Sequence, residues 1–158
     1  MILVRYIIDR YYDLPEYILF LHAERFQWHN DNPDYDGVPL LRNFQFPYLQ
    51  EQGYVNLRCA WALGCPAAYR PFKDDSISQQ ENSAAAGMIY LQTFQELLPE
   101  YRDPEQVGVS CCAQFAVTRD TIRKRPREDY IRYRKWLMDT PQRDELSGRF
   151  FEHAWHSR

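Results

Sequence analysis

The chain predicts an α/β fold: a single three-layer domain, 1–158, with a small mixed or parallel sheet flanked by helices. Three observations predict it. Helical and extended patterns alternate along the chain. Three short runs near 17–22, 54–59 and 109–117 are apolar without polar alternation, as in strands covered on both faces. A length of 158 residues suits one domain with one core.

The elements follow in order. Leu3, Ile7, Ile8 and Tyr11 recur at helical spacing, so 2–12 reads as an amphipathic helix that ends before Pro15. "YILFLHA", 17–23, reads as a buried strand. "PLLRNFQFPYLQEQG", 39–53, reads as a helix opened by Pro39, stopped by Gly53 and kinked or divided at Pro47. "YVNLRCAW", 54–61, is a second strand, and 64–80 is irregular. The stretch 82–100 is helical, with Met88, Leu91, Phe94, Gln95 and Leu98 on its inner face and Pro99 at its end. "VGVSCCAQFAVTR", 107–119, is the third strand. A short helix follows, then a longer one at 127–139 begun by Pro126, with Tyr130, Tyr133, Trp136 and Leu137 inside. A last helix, 147–158, is opened by Ser147.

Composition narrows the function. Hydrophobic residues are 45% and aromatic ones 16% of the chain, which argues for a packed core. The net charge of −3 gives no reason to expect nucleic acid as a partner. Basic residues nonetheless outnumber acidic ones across Arg119–Lys135. That stretch reads as a solvated helix face or as a surface for an anion, an RNA-like polyanion included. No apolar run reaches the roughly 18 residues of a membrane span, and "MILVRYIIDRYY" carries charge too early for a secretory signal. A cytoplasmic protein is the default expectation. The first residues read as helix with no capping side chain before them, as a fragment or a truncated gene model would. The oligomeric state is open.

Cys59, Cys65, Cys111 and Cys112 do not have a usual zinc spacing. Buried thiols, a disulfide and, last, a zinc site remain as readings. Adjacent strand residues face opposite ways, so Cys111 and Cys112 cannot both approach Cys59.

Candidate chemistry gathers in three places. "LFLHAERFQWHND" leaves a buried strand, where open α/β sheets gather ligands. There His22, Glu24 and His29 could shuttle protons or bind a divalent metal or a donor molecule, Arg25 could clamp a phosphate, and Trp28 could wall the pocket. The opposing reading is a solvated loop with His22 bonded to backbone. In "FFEHAWH", Glu152 and His156 share a helix face one turn apart, placed to chelate a metal, to act as an acid–base pair or to stabilise the helix as an ion pair. Gln114 is an amide inside an apolar strand and must be hydrogen-bonded, either holding a loop or facing a ligand. "KDD", 73–75, is either a metal-binding acidic pair or a surface loop. Glycine-rich dinucleotide, phosphate-loop and nucleophile-elbow motifs are absent from the sequence.

Five blocks in order, "RYIIDRYYDLPEYILFLHAERFQWHND", "GYVNLRCAWALGCP", "CCAQFAVTRDTIRKRP", "YIRYRKWLMDT" and "SGRFFEHAWH", resemble the fungal domain-of-unknown-function 3431 family (DUF3431). The resemblance implies usual members that begin with further β-rich segments and continue past residues 155–156. It also implies a layout similar to a truncated type-A glycosyltransferase, with "HAE", 22–24, standing where that fold carries an Asp-x-Asp motif. The function then expected is group transfer from a nucleotide-sugar donor or another small-molecule ligand. His22, Glu24, Glu152 and His156 are the catalytic candidates. Arg25, Trp28, His29, Gln114 and Arg123 are the ligand-binding ones, with a divalent metal as candidate cofactor. The alternative is a binding or interaction domain that keeps the fold without the chemistry.

Overall fold

The computed structural model describes residues 2–58, 81–108 and 113–154. The elements are α1 (Ile2–Arg10), β1 (Tyr17–Phe20), α2 (Val38–Arg42), α3 (Phe46–Gln52), β2 (Tyr54–Asn56), α4 (Glu81–Leu97), β3 (Phe115–Thr118), α5 (Arg119–Arg123), α6 (Arg127–Asp139) and α7 (Asp144–Ala154). They fall into two compact units. The first carries α1–α3, β1–β3, α5 and α6; the second carries α4 and α7.

The three expected strands do share one sheet, in the order β1-β3-β2. Both pairings are antiparallel, Tyr17 opposite Thr118 through Phe20 opposite Phe115, and Tyr54 opposite Val117 through Asn56 opposite Phe115. The sheet is therefore antiparallel among the described residues rather than mixed or parallel. The apolar run of β3 misled here for a physical reason. All four of its residues are buried because it is the central strand with both faces covered, and burial of both faces erases alternation whatever the strand direction. β1 and β2 run the same way but never pair.

One face of the sheet packs on α2 and α3. Leu49, Leu57 and Ala116 form its buried centre, with Tyr17, Leu19, Leu40, Phe44 and Val55 against them. Phe20, Tyr54 and Phe115 stack on the other face, where α1 brings Tyr6 edge-on to Phe20 at 6.2 Å. Pro47 divides the 39–53 helix as expected: each proline sits in the first turn of its own helix, where no N–H is required. Gly53 closes α3 at φ 74°, its N–H on the Leu49 carbonyl.

α1 buries Val4, Ile7 and Ile8 and packs on α6, which buries Tyr130 and Tyr133. The basic stretch serves this contact. Arg123 donates twice to the Tyr11 carbonyl at 3.2 and 3.1 Å, and Arg127 donates to the Ile8 carbonyl at 3.0 Å. Carbonyls at a helix C-terminus carry partial negative charge and lack helical partners, so guanidinium groups stabilise them.

In the second unit α4 buries Tyr90, Thr93, Phe94 and Leu97, with Leu98 buried just past its end, while Met88 and Gln95 are exposed. The inner face is thus rotated from the expected one: the 90, 93, 94, 97, 98 set also fits helical spacing, and it is the set that meets α7, through Tyr90 on Phe150 at 5.1 Å. α7 begins at Asp144, not Ser147. Ser147 lies inside the helix, its hydroxyl on the Arg143 and Asp144 carbonyls, and Asp144 supplies the acidic first turn. No helix among the described residues is long and apolar enough to cross a membrane.

Candidate functional site

β1 and β2 end at the same edge of the sheet, where β3 begins. Gln114, one residue before β3, is 4% exposed. Its Oε1 accepts the His22 backbone N–H at 3.1 Å, and its Nε2 donates to Asn30 Oδ1 at 3.2 Å. Asn30 is buried too, and its Nδ2 donates to the carbonyls of Arg25 and Tyr35, both at 2.7 Å. One buried amide therefore braces the loop after β1, and a second ties the two halves of that loop together. Of the two roles weighed for Gln114, loop holding is the one its contacts display.

The rest of the loop is locally specified. Asn32 Oδ1 accepts the N–H groups of Asp34 and Asp36, a side-chain-made turn. Phe26 bridges Asp36, and Tyr35 takes φ 58°, a left-handed conformation that the double carbonyl contact maintains. A Cβ at Gly37 would come within 3.2 Å of Asn30 Nδ2, so glycine lets the chain close there. Arg25 pairs bidentately with Asp36 at 2.9 and 2.8 Å, and Val38 N–H adds a third bond to that carboxylate. The Arg25 guanidinium, then the Val38 N–H, hold the Asp36 carboxyl down at about 2. The Arg25 fork is thus fitted to a carboxylate of its own loop.

On this frame four side chains form a ladder. The His22 and His29 rings are 4.5 Å apart and nearly parallel at 15°. The His29 ring lies 3.9 Å from Trp28, and the Arg58 guanidinium, just past β2, sits over Trp28 at 5.4 Å. Gln27 Nε2 donates to the Glu24 carbonyl, which leaves its Oε1, 3.3 Å from His29 Nδ1, as the acceptor of that ring contact. Trp28 is 52% exposed, and His22, Glu24 and Phe26 are exposed as well. Neither the Glu24 carboxylate nor the His22 ring nitrogens have a hydrogen-bond partner among the described residues.

The expected site residues are only partly brought together. His22, Glu24, Arg25, Trp28, His29 and Gln114 share one loop system. His22, Glu24 and His29 do not converge as metal ligands, since the imidazoles meet face to face and ring faces do not coordinate. Among the described residues no three His, Cys, Asp or Glu side chains form such a group. Arg123 lies past the other end of β3, on the Tyr11 carbonyl. Glu152 is half-buried on α7 in the second unit. Its neighbour His153, which the sequence did not single out, is buried, donates Nδ1–H to the Arg149 carbonyl at 2.8 Å and meets Tyr90 edge-on. His156, the four cysteines and "KDD" lie outside the described residues. A groove of about 600 Å³ runs between α1 and α6, lined by Arg5, Ile8, Ile131, Arg134 and Met138, and none of the predicted site residues lines it.

Sequence reasoning missed Arg58, Asn30, Asn32 and Asp36. The density of turn-forming side chains in "NDNPDYDG" was the available signal for the last three.

The fold and this sheet-edge loop define a small α/β protein that carries an exposed aromatic and imidazole stack. The chain belongs to the family described as "Protein of unknown function (DUF3431)", which matches residues 1–157. No curated protein and no solved structure matches the sequence.

Proposed function

We propose that the chain is a group-transfer enzyme that resembles a nucleotide-sugar-dependent glycosyltransferase, with its donor bound at the sheet edge where β1 and β2 end. The observation that carries this reading is the ladder His22–His29–Trp28–Arg58 on a loop braced by a buried glutamine. Stacked flat rings ending in a guanidinium suit a ligand that is both aromatic and anionic, as a nucleotide is. Pre-ordering of the loop lowers the entropy cost of binding. Glu24 is the candidate base for an acceptor hydroxyl, because its carboxylate is exposed and has no partner among the described residues. This reading draws on the first unit alone; Glu152 and His156 are not required by it.

A second reading, binding without turnover, is favoured by one observation. Arg25, Asn30, Asp36 and Gln114, most of the polar groups of the loop system, hydrogen-bond one another or the loop backbone. Thermal-shift measurements with nucleotide sugars, with and without Mn²⁺, test both, since a ligand of the native state raises the melting temperature. A shift with release of nucleoside diphosphate supports the enzyme. A shift without release supports binding without turnover, and no shift from any donor refutes the transferase and favours a binding or interaction domain for another ligand.

A further inference from the structure

Resting on the nucleotide reading above, we infer that the outer face of the His22 imidazole is the shelf on which the ligand's planar base stacks. Three features of the ring support this. Its backbone is pinned, because the His22 N–H is held by Gln114 Oε1 at 3.1 Å. Its plane is set, because one face lies against His29 at 4.5 Å and 15°, and His29 is itself held by Trp28 at 3.9 Å and by Gln27 Oε1 at 3.3 Å. Its other face is available among the described residues, where the side chain is exposed and its one ring contact is that with His29.

An aromatic ring already ordered by a stack offers a flat surface with little rotamer freedom left to lose. Trp28 and His29 are flanked within the ladder, so His22 is its open end. The complementary ligand surface is another flat π-face. A nucleobase has one, whereas a sugar presents staggered C–H and O–H groups. Histidine is among the side chains on which bases stack, and such stacking tolerates any base. The contact therefore assigns His22 a binding role through its face rather than a proton-transfer role through its nitrogens.

Uridine and adenosine, which carry no phosphate, are the probes, titrated calorimetrically into the whole chain without metal. The parent should bind both, and their binding should move the His22 Cε1–H resonance upfield by ring current. His22→Ala keeps the backbone N–H and should retain the parent's melting temperature, yet bind nucleosides about tenfold or more weakly. His22→Phe keeps a flat face without nitrogens and should bind within about threefold of the parent. Three results would overturn the inference: no nucleoside binding by the parent, parent-like binding by His22→Ala, or a loss in His22→Phe as large as that in His22→Ala. The broader proposal fails separately. A parent that binds nucleotide sugars but no nucleoside loses the shelf and keeps the donor site, and one that binds nucleosides but neither binds nor cleaves nucleotide sugars keeps the shelf and loses the transferase.

Discussion

Gln114 Nε2 meets Asn30 Oδ1 at 3.2 Å, joining two buried amides that lie 84 positions apart in the chain. Through this bond the first residue before β3 sets the shape of the loop after β1. Gln114→Ala would leave the Asn30 carbonyl and the His22 N–H without their partner. We expect a loss of about 1–3 kcal/mol in urea unfolding and faster hydrogen exchange at residues 22–37, ahead of any change in α6. An unchanged midpoint would show that water replaces the amide at no cost.

Asp36 predicts an acid-sensitive loop. Its carboxyl is held at about 2 by Arg25 and the Val38 N–H, below the ordinary value of about 3.9. A depressed carboxyl stabilises the fold above the unfolded value, and that contribution is lost as pH falls through the folded one. The gap in loop stability between parent and Asp36→Asn should therefore be widest near neutral pH and should close between about pH 4 and 2. Amide chemical shifts of residues 25–38 followed against pH give the measurement; a gap that stays constant down to pH 2 contradicts it.

Gly53 should not tolerate a side chain. Its φ of 74° is left-handed, and a Cβ there would lie 2.4 Å from Thr121 Oγ1. Gly53→Ala should cost at least about 1–2 kcal/mol in thermal unfolding, from backbone strain plus the clash. Adding Thr121→Ala to Gly53→Ala should recover the part due to the clash. If the double variant is no more stable than the single one, the strain is wholly in the backbone.

The arginines after β3 should act on stability and not on anions. Arg123→Ala removes two bonds to the Tyr11 carbonyl, and about 0.5–1 kcal/mol should follow, a modest figure because the side chain is exposed to solvent. Arg127→Ala removes the bond to Ile8, which is better shielded, and should cost more. Affinity for pyrophosphate should be the same in both variants as in the parent. A tenfold loss in either would restore the anion surface that the charge of this stretch suggested.

Much of the fold is visible in residue order because its causes are local. Proline cannot donate an N–H, so Pro39 and Pro47 mark two helix starts. Gly53 closes α3 because few other residues accept its φ. The apolar runs at 17–20, 54–56 and 115–118 became strands of one sheet. The face of α4 was misjudged because two overlapping apolar stripes satisfy the same period, and only the partner helix selects between them. The cluster at 22–29 was recognisable as a polar loop leaving a buried strand, whereas Arg58 was not, since nothing near residue 58 announces that its guanidinium will lie over Trp28.

Residue order alone was enough for the approximate course of the helices and strands and for the family, because side-chain shape, hydropathy period and backbone limits act within a few positions. Strand direction, the brace from Gln114 to Asn30 and the stacking of His22 on His29 came from tertiary contact. An apolar strand reads the same in either direction, and a buried amide takes whichever partner the fold brings to it. Two imidazoles seven residues apart stack only when the loop between them is closed from outside, here by a glutamine that follows more than eighty residues later.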